Sequence, residues 1–115
     1  MSRRTERLNA LLRGELSELI TREVKDPRVS GLVSITHVET SPDLHHARVF
    51  VSILGGDDTE VFRALKSASP FLRRELMRRL TLRYVPELAF HADDSIRRGA
   101  ELSEMIHNLR TGEEP

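Results

Sequence analysis

The chain has 115 residues, no cysteine, and 18 basic against 18 acidic side chains, so its formal net charge is zero. This length allows one domain with a single hydrophobic core, and the lack of cysteine excludes disulfides and thiolate metal sites. Because the sequence also has neither the long apolar run of a membrane span nor the apolar core of a secretory signal, we expect a soluble, cytoplasmic protein with no membrane partner.

A long first helix is predicted from about Thr5 to Lys25. Its apolar residues recur at three- and four-residue spacing and form one stripe, made of Leu8, Leu11, Leu12, Leu16, Leu19, Ile20 and Val24. Asp26-Pro27 is expected to end this helix, because the residue before a proline is disfavoured in the helical region and proline has no backbone donor.

Two strands in an antiparallel hairpin are predicted next. Residues 32–40 alternate, with one face formed by Val33, Ile35 and His37 and the other by Ser34, Thr36 and Val38. Residues 47–54 also alternate, with Ala47, Val49, Val51 and Ile53 opposite Arg48, Phe50 and Ser52. The connection at residues 41–46 is short and contains turn residues, which favours a hairpin.

A pair of helices separated by a sharp break is predicted after the hairpin. Asp57 and Glu60 have capping-box spacing and mark the start of the first of these helices. We expect a break at Ala68–Pro70, because Ser69 precedes a proline and a Ser-Pro pair is a favourable start for a new helix. The next helix, about Pro70 to Leu82, has one apolar stripe of Leu72, Leu76 and Leu80 and an opposite side with Arg74 and Arg78.

The remaining elements complete an α+β fold. Leu88, Phe90 and Ala92 alternate as a third strand, a final helix is indicated by apolar residues between 102 and 109, and the tail from about Thr111 is expected to fray. We therefore predict a single domain over residues 1–115, with a three-stranded sheet covered by helices on one face. Two helices that meet at a tight break, the second of them basic, are typical of a KH-like domain, although the Gly-x-x-Gly loop of KH domains is absent.

The positive charge of the chain is concentrated in residues 63–83. That stretch has seven basic residues and a single acid, Glu75. A basic helix of this kind is expected where a protein contacts phosphate, and a solvated helix face is the alternative interpretation. With one Tyr, four Phe and no Trp, contacts to the nucleic-acid backbone are favoured over base stacking on an aromatic platform.

Several short motifs, in this order along the chain, resemble those of the bacterial ribosome-binding factor A family. They are Lys25-Asp26-Pro27-Arg28, Ser41-Pro42-Asp43-Leu44, the segments 47–52 and 68–73, and the segment 82–90 followed by Asp93. The resemblance covers about residues 7–106 and implies a type II KH-like domain that binds the free small (30S) ribosomal subunit. It also implies a role in late maturation and processing of 16S rRNA. The family has an Ala-x-Gly kink between its helices, and Pro70 stands in this chain where that glycine would be.

From the basic helix and the kink together, we predict an RNA-binding surface. Its members are Lys66, Ser67, Ala68, Ser69, Pro70, Arg73, Arg74, Arg78, Arg79 and Arg83. The N-terminus of the helix after the kink is expected to present free amides to RNA beside Arg73 and Arg74. Whether Arg3, Arg4 and Arg7 join this surface is left open by the sequence.

No enzyme, metal site or cofactor is predicted. The five histidines lack the spacing of metal ligands, and Asp93-Asp94 followed by Ser95 is typical of a strand exit and helix N-cap. We expect a monomer. Two other functions are considered: a protein-interaction module whose basic helix meets an acidic partner or a second copy, and a hydrolase using His91 and Asp93.

Overall fold

The computed structural model describes residues 3–93, 95 and 106. Its elements are α1 (Arg3–Arg22), β1 (Leu32–Thr40), β2 (His46–Leu54), α2 (Asp58–Arg79) and β3 (Glu87–Ala92). This order confirms the predicted α+β fold class and is that of a KH-like domain. It differs from the prediction in having one helix, α2, between β2 and β3, where two were expected. The C-terminal helix and the frayed tail of the prediction lie largely outside the described residues.

Helix α1 forms because its apolar stripe has a sheet to cover. Leu12, Leu16 and Leu19 are fully buried against the hydrophobic core. Asn9 fixes the helix to the end of β1, since its Oδ1 accepts hydrogen bonds from the Thr40 amide (2.9 Å) and the Thr40 hydroxyl (2.6 Å). The helix ends at Arg22 rather than near Lys25.

The sheet has the order β1-β2-β3. Strands β1 and β2 form the predicted antiparallel hairpin, and β3 lies parallel to β2 on its other side. The inward residues of β2, such as Val49 and Val51, are buried as expected. Both helices pack on this inner face, so the prediction that helices cover one face of the sheet is confirmed.

The predicted faces of β1 are wrong beyond Thr36. The pairing register passes from Ile35 opposite Val51 to His37 opposite Phe50, so Thr36 is an extra residue in a bulge. A bulge reverses the alternation, and Val38 is therefore buried with Ile35 while His37 is exposed. Non-local pairing with β2 decides this shift.

The predicted helix break at Ala68–Pro70 is also wrong, because α2 runs unbroken from Asp58 to Arg79 with Pro70 inside it. The apolar residues explain why: Val61, Leu65, Leu72 and Leu76 are buried on one stripe whose spacing of four, seven and four residues keeps the helical phase. Pro70 lies on the exposed side of the helix. The carbonyl of Lys66, which loses its donor at Pro70, therefore lies on the solvent side, where water can replace the missing bond.

Within the residues that the structure describes, no helix is long and apolar enough to cross a membrane.

Candidate nucleic-acid interface

The exposed side of α2 carries a row of basic and small polar residues, which we call the α2 row. Since α2 is continuous, residues spaced three or four apart share this side over its whole length. The α2 row consists of Arg63, Lys66, Ser67, Pro70, Arg74 and Arg78, all of which are exposed. It begins one helical turn earlier than the surface predicted from the sequence, because Arg63 lies in the same helix as Arg78.

Helix α2, which carries the row, is capped at both ends, and these caps set its length. Asp57 accepts a hydrogen bond from the Glu60 amide (3.2 Å) at the N-terminus of α2, and the Leu80 amide donates to the Leu76 carbonyl (2.8 Å) at its C-terminus. From Arg63 to Arg78 the row extends about 22 Å at 1.5 Å per residue. This length allows contact with several successive phosphates of a nucleic-acid strand.

The charges of the α2 row differ in how far they are neutralised within the protein. Arg78 binds the Glu75 carboxylate through two hydrogen bonds of 3.0 and 2.8 Å, and Arg63 donates to Glu60 at 3.0 Å. The Arg78 hydrogen bonds, helped by the charges of nearby arginines, hold the pKa of Glu75 below its ordinary value. By contrast, neither Lys66 nor Arg74 makes an ion pair with another residue in the described part of the chain. These two side chains offer the least compensated positive charge of the row.

Two further arginines of the predicted surface, both outside the α2 row, also have partners in the fold. Arg73 donates from Nη2 to the Val85 carbonyl at 2.9 Å and so connects α2 to the segment before β3. Arg79 is only 23% exposed and lies 3.6 to 3.8 Å from the carboxylates of Glu15, Glu23 and Glu75. Its side chain joins α2 to α1, so it is not part of the exposed row.

The residues of the expected kink are ordinary helical residues. Ala68 packs against the core, and the Ser69 hydroxyl donates to the Leu65 carbonyl at 3.3 Å. The expectation of free amides at a helix N-terminus here is wrong, since α2 has no terminus at this point. Within a continuous helix the amides of Phe71 and Leu72 are directed to carbonyls one turn earlier.

Arg83 lies away from the α2 row, in a second basic site that we call the arginine groove. This groove, of about 620 Å³, is lined by Arg83 together with Arg3, Arg4 and Arg7 from the start of α1. Its apolar wall comes from Leu8, Leu11, Leu44, Leu82 and Tyr84. The sequence showed the N-terminal arginines but could not place them, because the start of α1 and the segment after α2 are distant along the chain and meet only in the tertiary structure.

The residues considered for hydrolysis have other contacts. The Asp93 carboxylate accepts hydrogen bonds from the Thr36 hydroxyl (2.5 Å) and from the Ser95 amide (3.0 Å), the second of which is the capping interaction predicted for a strand exit. His91 contacts the ring of Phe50, with 5.7 Å between ring centroids. In residues 3–93, 95 and 106, no group of three His, Cys, Asp or Glu side chains is placed to hold a metal ion.

The family model, the related sequences and the solved structures that match this chain all belong to one family. The model of the ribosome-binding factor A family matches residues 4–106. A ribosome-binding factor A from Caldanaerobacter subterraneus subsp. tengcongensis is 44% identical over 115 aligned residues, covering 98% of this chain and 94% of that protein. The crystal structure of the ribosome-binding factor A from Thermus thermophilus matches with a TM-score of 0.71 and 31% identity, covering 76% of this chain and 93% of that one.

A third match shows a relative in a complex. It is a homology model of the Thermus thermophilus ribosome-binding factor A, fitted into a cryo-electron-microscopy map of its complex with 30S. Its TM-score is 0.66 at 31% identity, and the match covers 76% of this chain and 93% of that one.

Proposed function

Because this chain belongs to the ribosome-binding factor A family, we propose that it binds the free small (30S) ribosomal subunit in the cytoplasm. There it assists late maturation and processing of 16S rRNA. The observation that carries this proposal is the α2 row, an exposed line of basic side chains on a helix whose opposite side is anchored in the core. A homology model of a relative, fitted into a cryo-electron-microscopy map of its complex with 30S, supports the choice of partner.

In this proposal the α2 row holds the rRNA backbone through charge. Lys66 and Arg74 contact phosphates directly, because neither forms an ion pair with a carboxylate in the described part of the chain. Arg78 can also reach phosphate, but it must share its guanidinium with Glu75. Such contacts make binding depend on salt and fix the position of the protein without reading the base sequence.

We propose that the protein acts by binding and not by turnover. The support for this is that its family is named for binding and that both oxygens of Asp93 have structural donors. A monomer suffices, since one helix face supplies the α2 row. Any effect on the ends of 16S rRNA is then indirect, through the subunit conformation that the bound factor favours.

The experiment that tests the proposal is co-sedimentation of the purified protein with 30S, 50S and 70S particles. We expect the protein to sediment with 30S particles and not with 50S or 70S particles. This association should disappear when ribonuclease degrades the rRNA. A Lys66→Gln/Arg74→Gln variant should bind 30S particles more weakly, and the slope of log affinity against log salt should fall by about 1 to 2 for two lost phosphate contacts.

The matched control is Arg13→Gln/Arg22→Gln, which also removes two positive charges at exposed sites outside the α2 row. It should bind 30S particles like the unchanged protein. If the two double variants behave alike, the α2 row is not the RNA contact. If binding survives ribonuclease, the alternative of a protein-interaction module with an acidic partner replaces this proposal.

The role in maturation needs a cellular readout. Cells that lack the protein should accumulate small subunits with unprocessed 16S ends, and the unchanged gene should reverse this. The Lys66→Gln/Arg74→Gln variant should reverse it poorly, while the Arg13→Gln/Arg22→Gln control should reverse it fully.

A further inference from the structure

We propose that the arginine groove is a second RNA site, which takes a single-stranded segment with one unstacked base. This inference extends the proposed function, because it assumes an RNA ligand. It concerns a different surface from the α2 row, formed where the first two turns of α1 meet the segment between α2 and β3.

The charge of the groove matches a phosphate backbone. Arg3, Arg4, Arg7 and Arg83 are all exposed, and no carboxylate is among the described residues that line the groove. Arg3 and Arg7 are also one helical turn apart on α1, a spacing at which like charges repel each other. An anion between these side chains relieves that repulsion, so ligand binding and helix stability favour each other.

The apolar wall of the groove indicates that the ligand has more than phosphates. Leu11 is 46% exposed and Tyr84 is 40% exposed, and both line the same groove as the arginines. A double helix keeps its bases stacked inside and would leave this apolar surface without a partner. A single strand can place one base against it while its phosphates lie near the arginines.

The ring of Tyr84 is held in position before any ligand binds. It stacks on His45 with the ring centroids 4.9 Å apart and the planes only 7° from parallel. The Tyr84 hydroxyl also donates to the Asp43 carbonyl at 3.1 Å. A side chain fixed in this way loses little freedom on binding, which is what a stacking site needs.

Leu44 gives a second, independent indication. It is the one non-glycine residue with a positive φ, 64°, in the described chain, and it lines the groove while also packing against the hydrophobic core. Leucine rarely adopts this left-handed conformation, which glycine or asparagine would adopt more easily. Residues in such strained conformations cluster at ligand-binding sites, and this one lies at the edge of the groove.

The test uses fluorescence anisotropy with the full chain and three labelled probes. The probes are a single-stranded RNA of eight nucleotides, the same strand made of abasic nucleotides, and an RNA duplex of equal length. Two variants probe the groove: Arg7→Gln/Arg83→Gln removes two charges, and Tyr84→Leu removes the aromatic ring but keeps an apolar side chain. Arg13→Gln, on the same helix but outside the groove, is the control.

We expect Arg7→Gln/Arg83→Gln to weaken binding of both single-stranded probes and to lower the salt slope by about 1.4 for two single-strand phosphates. Tyr84→Leu should weaken the base-bearing strand by roughly tenfold, the usual size for loss of an aromatic stacking partner, and should leave the abasic strand unchanged. Tyr84→Phe, which keeps the ring, should retain most of the binding, and Arg13→Gln should bind normally. Thermal unfolding of each variant verifies that it is folded.

Each remaining outcome counts against the proposal. Equal loss for the base-bearing and abasic strands in Tyr84→Leu would show that no base is held there. Tighter binding of the duplex, or binding of an acidic leucine-containing peptide where the RNA probes fail, would assign the groove to another ligand. The groove variants leave the α2 row unchanged, and Lys66→Gln/Arg74→Gln leaves the groove unchanged. Groove variants that bind the RNA probes normally would therefore refute the groove proposal alone, whereas normal 30S binding by Lys66→Gln/Arg74→Gln would refute the α2 row alone.

Discussion

The Arg79 guanidinium on α2 lies 3.6 Å from the Glu15 carboxylate on α1, with Glu23 and Glu75 also close to it. In the sequence, Arg79 is one of several arginines on a basic helix. In the fold it points toward the neighbouring helix, and its Nε is buried with no hydrogen-bond partner among the described residues. One arginine of the predicted RNA surface therefore connects α2 to α1.

This relationship predicts different effects for two arginines of the same helix. Arg79→Gln should lower the free energy of unfolding by about 1 kcal/mol, because it removes a small network of ion pairs, and should change 30S binding little. Arg74→Gln should change stability by less than about 0.5 kcal/mol and should weaken 30S binding. Urea denaturation and co-sedimentation measure the two effects, and a binding loss in Arg79→Gln as large as that in Arg74→Gln would contradict this assignment.

Pro70 within α2 predicts a stabilising substitution. Pro70→Ala supplies the amide that the Lys66 carbonyl lacks and removes the clash of the ring, so we expect about 1 to 2 kcal/mol of added stability after allowing for the more flexible unfolded chain. Binding to 30S particles should be unchanged, because no helix break is needed for it. The control is Ser67→Ala on the same exposed side, which should change stability little. A less stable Pro70→Ala protein would show that the proline is required for the path of the helix.

Gly31 is predicted to be irreplaceable by alanine. Its φ is +74°, and an added Cβ would lie 2.6 Å from the Gly56 amide nitrogen and close to the Leu54 carbonyl oxygen. Gly31→Ala should therefore destabilise the protein by about 2 kcal/mol or more. Gly14→Ala is the contrasting change, since a Cβ there meets nothing within 4 Å inside a helix, and it should stabilise by about 1 kcal/mol. Equal effects in thermal melts would contradict this prediction.

The hairpin turn predicts a loss of stability in acid. The Ser41 hydroxyl and the His45 amide donate to Asp43 Oδ1, at 2.6 and 3.0 Å, and hold the pKa of Asp43 below its ordinary value. A lowered carboxyl pKa stabilises the fold above the unfolded-state value of 3.8 and ceases to do so as the pH falls through the lower native value. Asp43→Asn should thus be less stable than the unchanged protein at pH 7, and the difference should vanish at low pH. Urea midpoints across that range measure it, and a difference independent of pH would rule out the carboxylate as its cause.

The sequence alone was sufficient for the elements whose signals are local. The leucine stripe of α1, the alternation in β2 and the Asp57 cap of α2 all depend on residues within a few positions of each other, and each is found near the place predicted. The concentration of positive charge between residues 63 and 83 is likewise a property of the sequence. It identifies a basic helix without showing which of its cations face solvent.

Other features were decided by contacts between distant parts of the chain. The Ser69-Pro70 pair favours a break locally, but Leu65 and Leu72, on either side of it, are buried in one core. The gain from burying both halves of the stripe against one sheet exceeds the cost of one missing hydrogen bond, so the helix continues. The bulge at Thr36 likewise depends on pairing with β2.

The α2 row and the arginine groove also differ in whether local spacing or tertiary contacts bring their residues together. Arg63, Arg74 and Arg78 share one side of α2 by helical periodicity, which the sequence contains once the helix is known to be continuous. Arg83 and Arg7 meet in one groove only because the chain reverses after Leu80 and returns beside the start of α1. Local spacing determines which residues share an element, whereas the burial of apolar stripes from distant segments determines which elements lie together.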